Sequence, residues 1–143
     1  MNAQSEKAKA AMAKENSQSD NEEVIAQLEK QVSIAVWIQF IGQIMEAFYL
    51  SKIMLVSEEV RENANERQIL LGAWIQTAGQ LFEGVGTTKQ LYTDEEKSLT
   101  LEAQRVTNFG DWLQSVGVAL EANAGTQIIL EEIRKAEEEE FIP

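Results

Sequence analysis

A chain of 143 residues holds one domain or a short array of repeats, and one proline with eight glycines is too few for a turn-rich β protein; an all-α fold is expected. A formal charge of −12 with no long basic run argues against nucleic acid as a partner and against docking on an anionic membrane. Neither cysteine nor histidine occurs, which removes disulfides, thiolate nucleophiles, ordinary zinc sites and the commonest general base; no enzymatic activity and no cofactor are expected.

In chain order, residues 1–19 are polar and Ala-rich with little periodicity, and they read as a flexible or weakly helical arm. The arm lacks the apolar run of a secretory signal, so a cytoplasmic location is the expectation, with leaderless export left open. A single helical repeat domain, 20–143, follows. Its first helix should start at the capping-box pattern Ser19-Asp20-Asn21-Glu22. Further N-terminal signals stand at Ser57 ("SEEV") and Thr93 ("TDEE"). Stops are expected at Asn63–Asn65 ("NAN"), at Gly84 ("GVGTTK") and at Asn123 ("NAGT"), giving units of about 20–56, 57–92 and 93–125 and a C-terminal helix over 126–140. Between Leu50 and Asn65 the start and stop signals conflict.

Each unit carries one tryptophan, Trp37, Trp74 and Trp112, inside "AVWIQFIGQIMEAFY", "GAWIQTAGQLFEGVG" and "GDWLQSVGVALEANA". A period of 37 or 38 residues is typical of helical repeats. Aligned on the Trp, apolar residues recur three before it (Ile34, Leu71, Phe109), four after (Ile41, Ala78, Val116) and seven after (Ile44, Leu81, Ala119), a helical seam with the Trp in its middle. Ordinary core packing is the expected role of that seam.

A second stripe holds small residues two before the Trp (Ala35, Gly72, Gly110) and five after it (Gly42, Gly79, Gly117), lying ~120–160° around the helix from the Trp. Beside it stand Gln39, Gln76 and Gln114, and one heptad further Glu46, Glu83 and Glu121. A glycine inside a helix costs roughly 1 kcal/mol relative to alanine. Its recurrence asks for a compensating close approach, by a neighbouring backbone or by a Trp ring, with the Gln and Glu groups hydrogen-bonding at the edge. The three glutamates could also face one cation, but no loop resembles an EF-hand and a solvated or paired role is the stronger expectation.

The expected architecture is therefore an antiparallel bundle of three long repeat helices plus the C-terminal one, with the three tryptophans at a similar level; small helical hairpins stacked as a solenoid are the alternative. The expected function is that of a non-enzymatic structural or interaction module, a homo-oligomer or one with a protein partner. Membrane association is the weaker expectation. The stretch from Val32 to Leu50 has a single charge, yet its glutamines and Glu46 interrupt it.

The phrase "GAWIQTAGQL" at Gly72, with diverged copies at Ala35 and Gly110, resembles small repetitive proteins of Bacillus-type Gram-positive bacteria in which a G-A-W-I-Q-x-x-G unit recurs. The resemblance spans about 15 residues per copy and implies no activity. The leading Gly-Ala is intact only at Gly72-Ala73.

Overall fold

A computed structural model describes residues 3–93 and 97–140, and all of its regular structure is helical. Helix α1 spans Ala3–Val56, α2 is a single turn over Glu58–Glu62, α3 spans Ala64–Leu91 and α4 spans Lys97–Glu140. Trp37, Trp74 and Trp112 lie on α1, α3 and α4 respectively, each inside a long uninterrupted helix.

The ambiguous stretch before Asn65 uses both of its conflicting signals. Ser57 accepts from the Val60 amide through its hydroxyl and caps α2, while the Asn63 carboxamide oxygen accepts from the Asn65 and Glu66 amides and caps α3. Two cap residues six positions apart leave room for one turn only, and that turn is α2.

Other boundaries differ from the expectation. The Ser19 capping pattern lies inside α1, which is already helical at Ala3; Ala, Lys and Glu are strong helix formers that need no cap at that point. The "GVGTTK" stretch stays helical because Gly84 and Gly86 are packing positions. A Cβ at Gly84 would meet the Trp37 ring at 3.2 Å, and one at Gly86 would lie 2.9 Å from the Ala103 carbonyl oxygen. At "NAGT" the helix runs on without interruption: Ala124 is wholly buried and Thr126 returns its hydroxyl to the Ala122 carbonyl at 2.8 Å. The expected C-terminal helix is thus the end of α4. The acidic residues of "TDEE" at 94–96 lie outside the described residues.

Helix α3 is the middle of the three long helices. It packs on α1 along one side and on α4 along another, and no Cα of α1 comes within 8 Å of one in α4 among the described residues. The residues touching α1 (Thr77, Gln80, Gly84, Thr88) centre ~75° to one side of Trp74; those touching α4 (Gly72, Gly79, Gly86) centre ~140° to the other. The Gln–Glu edge of α3 therefore faces the narrower angle between its neighbours. The Trp edge faces the wider, open one.

Small and polar residues fill both contacts. Ala47, Ala73, Ala103 and Ala124 are fully buried, Val36, Ser33, Thr77 and Gln80 nearly so, and among the described residues no large side chain is fully buried. The expected burial of the Trp seam is overturned: Ile34, Ile41, Leu71, Phe109 and Val116 are exposed, and Trp112 is 68% exposed. Helices that meet through glycine and alanine approach too closely to seat a bulky seam between them, so the seam is left outside. The tryptophans do not form one layer either. Trp37 reaches Thr88 at one end of the α1–α3 contact and Trp74 reaches Ser51 at the other.

Candidate interaction faces

The first face is the small-residue stripe, and what packs against its glycines is the same stripe of another repeat. A Cβ built on Gly79 would stand 2.6 Å from the Gly110 carbonyl oxygen and one on Gly110 would stand 2.5 Å from that of Gly79; Gly72 and Gly117 repeat the exchange at 2.7 and 2.6 Å. Gly86 meets Ala103 in the same way one heptad on. Opposed positions climb α3 as they descend α4, so each repeat offers its residue two before the Trp to the partner's residue five after.

The polar edge follows the same reciprocity. Gln76 donates to Glu121 Oε1 at 2.6 Å, and Gln114 donates to Glu83 Oε2 at 2.6 Å. Both bonds join the glutamine two after one Trp to the glutamate nine after the other. A carboxylate receiving an amide N–H at that distance makes a strong, charge-assisted hydrogen bond. Gln80 extends the chain toward α1, donating to Glu83 and to Gln39 Oε1, each at 3.1 Å. Among the described residues no buried side-chain polar atom lacks a partner.

Among the described residues Glu121 stands out in its titration. Burial raises its carboxyl above the usual value of 4.5, the Glu46 carboxylate raises it further, and the Gln76 bond opposes both. An acid whose folded value is raised destabilises the fold while ionised, and that penalty is relieved as pH falls toward and through the raised value. The parent protein should therefore melt at a higher temperature as pH is lowered from neutrality toward the carboxylate range. Glu121→Gln should flatten that rise, which calorimetry at a series of pH values would check; an identical slope in the two proteins would contradict it.

The second face, between α1 and α3, was not legible in the Trp–Gln–Gly pattern. Its signature is a hydroxyl fourteen residues after each Trp. Trp37 Nε1 donates to Thr88 Oγ1 at 2.9 Å and Trp74 Nε1 donates to Ser51 Oγ at 3.1 Å, again a reciprocal exchange. Each hydroxyl in turn donates to the carbonyl ten after its own Trp, Ser51 to Ala47 and Thr88 to Gly84, both at 2.7 Å. Extending the repeat alignment past the Gly would have exposed the series Ser51, Thr88, Thr126.

Repeat 1 keeps the motif residues but leaves them unmated. Gly42 has nothing within 4 Å of a Cβ built on it, and Ala35, Gln39 and Glu46 are exposed, although Gln39 accepts from Gln80 and Glu46 from Gln43. Glu46, Glu83 and Glu121 are not gathered into a metal-sized cluster among the described residues. Within Ala11–Val56 there is one stretch long and apolar enough to cross a membrane by length and composition, with 17% of it buried.

No protein-family model, curated protein or solved structure matches this chain.

Proposed function

We propose that this chain is a non-enzymatic structural module, three repeat helices forming an antiparallel layer that assembles with further copies of itself. The observation that carries this reading is the inverted partition of side chains. Alanine, glycine and hydroxyl residues occupy the contacts, while Ile34, Ile38, Ile41, Phe48, Trp74 and Trp112 stand in solvent. Apolar surface on that scale marks an interface. Self-association is favoured over a foreign partner because both kinds of contact inside the chain are reciprocal, each face mating with the same face of another repeat. A surface that is its own complement forms the isologous contact of a symmetric oligomer.

The apolar stretch of α1 supports a second reading, membrane association, since small-residue contacts with large apolar side chains turned outward also suit helices in lipid. The net charge of −12 and the exposed Asp111, beside the seam at Trp112, weigh against it. Light scattering after gel filtration separates the two. An oligomer of defined mass without lipid supports the structural module; a monomer that floats with neutral or anionic vesicles supports the membrane reading instead.

A further inference from the structure

We infer that the Ala35–Gly42 face of α1 is the docking surface for the same face of a second copy, the two α1 helices running antiparallel with Ala35 of each against Gly42 of the other. The inference rests on the self-association reading and gives it a surface and a register.

The contact between α3 and α4 is the template. There the positions two before and five after the Trp oppose one another, and the glutamine two after bonds the glutamate nine after, in both directions. Repeat 1 has a counterpart at all four positions, Ala35, Gln39, Gly42 and Glu46, three of them identical and Ala35 in place of glycine. Alanine against glycine is already accommodated within the chain, where Ala103 opposes Gly86.

Hydrogen-bond complementarity fixes the occupant as another copy. The Gln39 amide has free donor capacity, since its observed role is to accept from Gln80 through Oε1, and Glu46 keeps acceptor capacity beyond its 3.0 Å bond from Gln43. A second α1 in the template register places Gln39 of one copy at Glu46 of the other, twice over.

The apolar rim gives an independent indication. The residue after the Trp is Ile75 in α3 and Leu113 in α4, and both are partly covered; its counterpart Ile38 is 64% exposed. The template contact would cover Ile38. Gly42 itself weakens α1 relative to alanine, with no close approach inside the chain to offset it.

Beyond the central pairs the template is bulkier. Tyr49 and Leu28 stand where α3 and α4 have Gly86 and Ala103, so close backbone approach is confined to the two Ala35–Gly42 pairs.

Gly42→Leu tests the surface, because open space around Gly42 lets the variant fold, which circular dichroism would verify. The expected result is a loss of assembly of at least tenfold in dissociation constant, read by light scattering over a dilution series. A parent that is monomeric at every concentration overturns the self-association reading and this inference with it. A parent that assembles alongside an equally assembled Gly42→Leu overturns this inference alone.

The register has its own readout, since the chain contains no cysteine. Ala35→Cys and Gly42→Cys proteins, mixed and oxidised, should give a cross-linked pair that neither gives alone, because like positions in the antiparallel register stand about seven residues, ~10 Å, apart along the axis. Cross-linking of Gly42→Cys to itself as efficiently as in the mixture overturns the register.

Discussion

Gly79→Leu is expected to lower the unfolding free energy by about 3 kcal/mol or more, measured by urea titration of the dilute protein. A side chain at 79 would begin 2.6 Å from the Gly110 carbonyl oxygen and 2.8 Å from the Gln114 amide nitrogen, both of them backbone atoms of α4. Backbone cannot rotate aside as a side-chain tip can, so α4 as a whole must move away. That movement also opens Gly72–Gly117 and lengthens the Gln114–Glu83 bond, which share the same helix pair. The matched control is Gly42→Leu, the same chemical change in open space, where replacing a helical glycine gains up to about 1 kcal/mol in the unassociated chain. Equal stabilities for the two variants would show that the glycines of α3 and α4 are not in contact.

The same glycines decided how much of the fold could be read in advance. Helix was legible from about residue 20 onward by propensity and period, while residues 3–19, expected as a flexible or weakly helical arm, belong to α1; the Gln–Gly–Glu stripe, with small residues one heptad apart, indicated a close helix neighbour without saying which one. What misled was taking glycine as a stop. Gly84, Gly86 and Gly125 are local breakers by propensity, yet the first two sit against Trp37 and Ala103 and the third follows the buried Ala124, so tertiary packing overrides a local cost of roughly 1 kcal/mol each.

The hydrophobic seam misled for a related reason. A three-and-four apolar spacing indicates that one face is distinct, but which face turns inward depends on how closely the backbones approach. Here Ala47 on α1 and Ala73 on α3 are fully buried while Ile41 and Leu71 are exposed. Two stripes competed for the interior, and only the one with the shorter side chains allows the reciprocal Gln–Glu and Trp–hydroxyl bonds to form.

The three tryptophans, equivalent in sequence, should therefore differ sharply when truncated. Trp37→Ala is expected to cost about 2–4 kcal/mol, somewhat below the usual figure for a buried tryptophan because Trp37 is only partly covered. Its ring fills the space over Gly84, stands edge-on to Phe40 with centroids 5.7 Å apart, and donates to Thr88. Trp112→Ala should change stability by no more than about 0.5 kcal/mol, since the ring is 68% exposed. Trp74, 44% exposed and bonded to Ser51, belongs between them. Thermal melts of the three variants at a concentration where the chain is unassociated would give the order directly. Equal losses at Trp37 and Trp112 would place α4's tryptophan in a contact like that of α1 with α3. The difference follows from position in the layer and not from the motif: Trp37 and Trp74 are each met by the hydroxyl fourteen residues beyond the other, whereas α4 packs on α3 through its Gly110–Gly117 stripe and among the described residues has no second long helix against its Trp112 edge.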